Sequence, residues 1–172
     1  CLVFNGEVYN YRELRAQLTG YGYPFKTQTD TEVVLQAYRQ WGQSCVQRLK
    51  GMFAFCIWNS EEKSLFLARD HFGIKPFFYA QSGSCLVFSN TLDCLCRHTA
   101  VSGARDDLWI ADFLLFERSL DPGATAYADI RRVLDPIVRG LRRLQRDLGL
   151  VHGRLGRSQL VALRLRRLYS GR

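Results

Sequence analysis

No apolar run in the 172 residues approaches the roughly 18 to 20 that a membrane-spanning helix needs. No basic segment followed by an apolar stretch stands at the N-terminus, so no secretory signal is read there. The chain has one Met, and it is not the first residue; the chain opens at Cys1 inside an apolar run and is expected to be a fragment or a processed chain. Its six cysteines (Cys1, Cys45, Cys56, Cys85, Cys94 and Cys96) form no C-x-x-C pair and suggest no disulfide framework. A reducing, cytoplasmic setting is the expectation. The glycines match neither the phosphate-binding loop nor the dinucleotide fingerprint. There is no internal repeat.

What is present is apolar and aromatic, at 47% and 13%, which excludes a disordered chain and fits a packed globule. Charge divides the chain. Residues 1–130 hold 8 Arg, 4 Lys and 14 acids, a net of −2, whereas 131–172 hold 12 Arg, no Lys and 2 acids, a net of +10. Of the 22 aromatic residues only Tyr169 lies beyond 130. A buried aromatic removes roughly 150 to 250 Å² from water, so the first segment can build a core and the tail can hardly do so alone. The excess basicity sits in the tail, so nucleic acid is not an expected partner, and any binding of it would fall to the tail alone.

The periodicity predicts an α+β fold. Residues 1–4 read as a short buried strand. Asn10 and Glu13 form a capping box for a helix whose Tyr11, Leu14 and Leu18 share one face, ended by Gly20 and Gly22. Residues 25–28 read as a short strand. Thr29 and Glu32 form a second box, opening a helix with Val33 or Val34, Ala37, Tyr38 and Trp41 as its stripe and Gly42 at its close. Strands are expected over 52–58, 65–68, 77–79 and 85–88, the first of them apolar enough to be covered on both faces. Helices are expected over 91–97 and 106–116.

Several residues can carry chemistry. Asn5-Gly6-Glu7 ends an apolar strand. Asn-Gly is a hairpin signal, but a helix follows instead of a second strand. An Asn amide and a Gly N–H at a strand end can also stabilise a developing oxyanion, with Glu7 as a carboxylate for an ammonium group. Asp30 either caps its helix or supplies a second carboxylate. His71 has no Ser or Cys partner nearby and reads as a turn residue. Cys94, Cys96 and His98 invite a metal reading, but residues two apart on a helix face different ways, so no metal site is assigned.

Four blocks carry a resemblance. Leu2 to Leu14 (LVFNGEVYNYREL), Thr29 to Leu35 (TDTEVVL), Arg48 to Phe55 (RLKGMFAF) and Leu67 to Tyr79 (LARDHFGIKPFFY), followed by Phe88-Ser89, stand in order at natural spacing. The sequence resembles, over about 1–133, the class II glutamine amidotransferase domain of glutamine-hydrolysing asparagine synthetases. The resemblance implies an N-terminal-nucleophile (αββα) four-layer fold, here partial and lacking the first strands. It implies a Cys at the mature N-terminus that attacks the side-chain amide of glutamine with its own α-amine as base. It implies Asn5 and Gly6 as the oxyanion hole, Glu7 and Asp30 as the groups that hold the α-amino group of glutamine, and Met52 beside the path of released ammonia. It implies a synthetase domain, missing here, that activates aspartate with ATP and Mg²⁺; no cofactor is implied for this part. The family's nucleophile and its carboxylate-binding Arg precede the Asn-Gly-Glu block by tens of residues, so no nucleophile is assigned in this chain. Cys1 stands four strand residues from Asn5, about 13 Å away, too far for one carbonyl carbon to reach both. Asn90 and Glu117 stand where relatives usually carry Glu and Gly.

The expected organisation is a partial amidotransferase domain at 1–105, a segment leading toward a synthetase domain at 106–133, and an Arg-rich tail at 134–172. The tail has two readings. Asp135 and Pro136 can open an amphipathic helix with a stripe from Leu134 through Leu148. Alternatively the Arg, Leu and Gly enrichment is what a shifted reading frame yields. A fragment of a glutamine-hydrolysing asparagine synthetase, inactive as written, is the leading functional expectation. A non-catalytic glutamine-binding or basic-tailed adaptor module is the alternative.

Overall fold

A computed structural model describes residues 1–134 apart from Lys63 and Ser84, together with the backbone of 150–155 and 158–164. The chain divides into two compact units, Cys1–Lys75 and a second one beginning with Pro76–Leu134.

The first unit contains β1 (Leu2–Val8), α1 (Tyr11–Gly20), α2 (Asp30–Trp41), a 3₁₀ stretch (Gly42–Arg48), β2 (Gly51–Asn59) and β3 (Ser64–Arg69). The strands form an antiparallel sheet in the order β1-β2-β3. The near-continuous apolar run of β2 takes the central place, as its composition demands. Side chains alternate between faces. Phe53, Phe55 and Ile57 of β2, Phe66 and Ala68 of β3 and Val8 of β1 pack with Leu14 and Leu18 of α1 and Val33, Val34 and Ala37 of α2. Phe55 sits 5.6 Å from Phe53 and 5.8 Å from Phe66 between ring centroids. The apolar stripes of the two helices are thus matched by one face of one sheet. The other face carries Asn5 and Glu7 from β1, Met52, Ala54 and Cys56 from β2, and Leu67 and Arg69 from β3, as the register Asn5↔Ala54↔Arg69 requires.

Three local expectations fail. Residues 25–28 form no strand. The Glu32 carboxylate accepts the Lys26 and Thr27 N–H groups at 2.9 and 2.7 Å, so this backbone is satisfied by a side chain rather than by a neighbouring strand. Thr29 does cap α2, accepting the Glu32 N–H, but Glu32 turns outward to residues 26–27 instead of returning the bond. Asn10 makes no side-chain cap on α1. Its amide donates to the Arg48 carbonyl and accepts the Lys50 N–H, each at 2.9 Å, tying β1's exit to β2's entry. Gly42 closes α2 at φ 57°, as expected.

The second unit contains β4 (Phe78–Ser82), β5 (Cys85–Ser89), α3 (Leu92–Cys96), α4 (Asp107–Phe116), β6 (Ile130–Arg132), β7 (Leu150–Leu155) and β8 (Ser158–Arg164). Its sheet is antiparallel in the order β6-β4-β5-β8-β7. Phe78, Ala80, Val87, Leu95, Val101 and Ile130 form its core. Asp106 caps α4 through the Trp109 N–H at 3.0 Å. Glu117 ends α4 at φ 58°, the one non-glycine with positive φ among the described residues. That left-handed position explains why glycine suits it better. The helix expected after Asp135 lies outside the described residues. The strands β7 and β8 were not expected from the sequence. Together the two units make a mixed α/β protein with antiparallel sheets. No helix among the described residues is long and apolar enough to cross a membrane.

Candidate functional site

The register of β1 decides what each residue of Asn5-Gly6-Glu7 presents. Cys1 exchanges both backbone bonds with Trp58, and the Tyr9 N–H donates to the Lys50 carbonyl. Odd-numbered residues of β1 therefore bond to β2, and even-numbered ones turn their N–H and C=O to the strand's other edge. The Val8 N–H faces that edge and donates to the Asp30 carboxylate at 2.9 Å. Gly6, two residues earlier, faces the same edge, roughly 7 Å along the strand. The structure thus puts the Gly6 N–H and Asp30 on one edge of β1. Asn5 and Glu7 project from the face of the same strand, with Glu7 exposed and Asn5 half-buried.

Gly6 is dictated by its neighbours. At φ 144° a side chain is strained, and a Cβ would lie 2.6 Å from the Phe53 Cα and closer still to the Met52 carbonyl oxygen. Gly51 is its diagonal counterpart, at φ 153° with a Cβ position 3.0 Å from the Val8 Cα. Close approach of β1 and β2 is therefore built from a pair of glycines. Met52 stands opposite Glu7 on the site face, half-buried.

Asp30 does not cap its helix; Thr29 does. One Asp30 oxygen takes the Val8 N–H and the other a long contact of 3.4 Å from the Thr31 hydroxyl. A carboxylate offers about four lone-pair positions, so Asp30 retains capacity for a charged donor.

The thiols differ in use. Cys1 lies in strand register with its ammonium group donating to the Trp58 carbonyl at 2.9 Å. Burial pushes the Cys45 thiol up to about 12 and the Cys56 thiol higher still, so neither forms a thiolate near neutral pH. The six cysteines are free. Among the described residues no cluster of His, Cys, Asp or Glu could hold a metal ion; the His98 Nδ1 accepts the Ala100 N–H.

Sequence reasoning missed Asp70. It is 1% exposed and accepts N–H groups from Phe53 (3.3 Å), Phe72 (3.1 Å), Ile74 (2.9 Å) and Lys75 (2.9 Å). Burial pushes its carboxyl pKa up, but the four backbone donors outweigh that and hold it below the usual carboxylate range. An Asp followed three residues later by Gly in a loop ending Lys-Pro signals an Asx-type turn. That signal could have suggested the role. His71, the residue weighed as a base in this loop, is exposed. Gly73, at φ 63°, lies against the Arg69 guanidinium, which a Cβ would meet at 2.6 Å from Cζ.

The sequence model of the family described as "Glutamine amidotransferase domain" matches residues 1–146, and the chain belongs to that family. The match extends into the Arg-rich tail. The chain is 34% identical over 132 residues to asparagine synthetase [glutamine-hydrolyzing] 3 of Bacillus subtilis, covering 77% of this chain and 22% of that protein. It is 47% identical over 89 residues to asparagine synthetase [glutamine-hydrolyzing] 1 of the same organism, covering 52% and 14%. It is 38% identical over 115 residues to asparagine synthetase B [glutamine-hydrolyzing] of Escherichia coli, covering 64% and 21%. The chain spans about a fifth or less of the length of these relatives.

Proposed function

We propose that β1 and the start of α2 form part of a pocket that binds glutamine and polarises its side-chain amide. The carrying observation is the shared edge of β1, where the Gly6 N–H and the Asp30 carboxylate stand apart by the length scale of a glutamine side chain. Gly6 and the Asn5 amide donate to the amide oxygen as charge develops on it. Glu7 and Asp30 hold the α-ammonium group by charge-assisted hydrogen bonds. The fold is read as an incomplete N-terminal-nucleophile (αββα) arrangement whose first strands and attacking thiol belong to the additional length of the relatives. Cys1 is not the nucleophile, because its α-amine is engaged by Trp58 and it lies four residues down the strand from Asn5.

On this reading the chain is a piece of a glutamine-hydrolysing asparagine synthetase that works in the cytoplasm. Residues 1–105 carry the pocket, 106–133 lead toward the synthetase part, and 134–172 form a basic tail. Ammonia released from glutamine is used elsewhere in such an enzyme to amidate aspartate. On the same reading ATP and Mg²⁺ belong with the synthetase part.

Calorimetry with glutamine tests the pocket. The full chain should bind glutamine weakly, near millimolar, about −4 kcal/mol. Asp30→Asn and Glu7→Gln should each weaken binding about tenfold or more. No binding, or binding indifferent to both changes, overturns the proposal. A glutaminase assay tests the nucleophile: turnover that Cys1→Ala abolishes would overturn the exclusion of Cys1.

A further inference from the structure

A run of backbone contacts leads from the loop after β3 to Gly6. Asp70 follows β3 directly and stands opposite Phe53, one step beyond the Ala54↔Arg69 pair. Its N–H donates to the Phe53 carbonyl at 2.7 Å, as in an ordinary ladder pair. Its carbonyl does not return the bond, because it accepts the Gly73 N–H at 3.0 Å and turns into the loop. The carboxylate returns it instead, accepting the Phe53 N–H at 3.3 Å. A side chain thus substitutes for a main-chain acceptor at the end of the sheet. The same carboxylate is anchored by the Phe72, Ile74 and Lys75 N–H groups, so it cannot swing away without releasing the loop.

On its other side Phe53 faces Gly6, with no room between the two backbones for a single carbon atom. Any tilt of the Phe53 peptide is therefore passed to Gly6. We propose that Asp70 is a positioning residue for the Gly6 N–H, fixing the Phe53 backbone on which Gly6 is set. This rests on the reading of Gly6 as an oxyanion donor. Asp70 touches no substrate; its effect travels through one peptide unit.

Nuclear magnetic resonance on the ¹⁵N-labelled full chain tests it, with glutamine calorimetry alongside. Asp70→Asn keeps the volume but replaces one acceptor oxygen with an NH₂ donor facing backbone N–H groups. It should move the Gly6 and Phe53 amide resonances and weaken glutamine binding about tenfold, since small misplacements of a site are costly. Asp70→Glu, which keeps both acceptors, should restore part of each. Asn59→Ala is the control. It removes the acceptor of the Glu61 and Glu62 N–H groups at the far end of the β2–β3 hairpin. It should lower stability and leave Gly6 unmoved. A Gly6 resonance shifted no more by Asp70→Asn than by Asn59→Ala overturns the proposal. If Asp70→Asn does not fold, Asp70→Glu supplies the same comparison. Failure of the unaltered chain to bind glutamine would strike the pocket reading alone, and the Gly6 resonance would still decide this one.

Discussion

Two carboxylates flank the first sheet, and each takes a strand N–H that the sheet leaves over. Asp30 stands at the outer edge of β1, with one N–H bond and one long hydroxyl contact. Asp70 stands beyond β2 on the β3 side, buried, with four N–H bonds. The difference is one of spare capacity. A saturated carboxylate holds its own backbone and nothing else; a carboxylate with free lone pairs beside the outer edge of a strand can take a ligand. Side-chain type is the same in both, and neighbouring donors decide the role.

The largest effect expected from breaking this comparison comes from Asp70→Ala. It orphans several N–H groups, each costing roughly 1 to 3 kcal/mol when buried, so the loss should be about 3 kcal/mol or more. Asp30→Ala frees one edge N–H, that of Val8, and a long Thr31 hydroxyl contact, and should cost under about 1 kcal/mol. Urea unfolding of both variants checks the contrast, and equal losses would remove it. Gly6→Ala comes next. The added carbon meets the Phe53 and Met52 backbone at a φ of 144°, and a loss of roughly 2 to 3 kcal/mol is expected, with glutamine binding lost as well.

The pH dependence sharpens the same contrast. The folded-state pKa of Asp70 is depressed, so its stabilisation is fully present above the unfolded carboxylate value, near ~4, and drains away as pH falls through the folded value. Stability measured between pH 3 and 6 should fall at the acid end, and Asp70→Asn should flatten that fall. The smallest effect expected lies in the second unit. Glu117→Gly relieves a left-handed backbone at the end of α4 and should raise stability by about 0.5 to 1 kcal/mol. A melting temperature unchanged by that substitution would contradict the strain.

Much of the first unit was legible in the sequence because its elements are locally consistent. Leu14 and Leu18 share a helical face, Thr29 opens α2 and Gly42 closes it, and the apolar run at Phe53–Ile57 sits at the centre of its sheet. Asn5, Gly6 and Glu7 were singled out by their composition, but the strand expected to end before them runs on through Val8, so they lie within it. Asn10, Glu32 and Asp70 were read less well for a common reason. Each is a polar side chain that bonds backbone distant or displaced from its local motif: Arg48 and Lys50 for Asn10, Lys26 and Thr27 for Glu32, Phe53 and the 72–75 loop for Asp70. Capping patterns predict that such residues seek N–H groups. They do not say which.

The sequence by itself determined the alternation of apolar and polar residues, the helix stripes, the glycines where chains pass closely and the four blocks that mark the family. Those are properties of residues and their near neighbours. Only the tertiary structure decided which N–H groups of β1 are left outside the sheet, which of two aspartates is saturated, and which backbone Gly6 rests on. Donors and acceptors far apart along the chain meet only when strand register is fixed, and shifting that register by one residue would turn every one of these groups the other way.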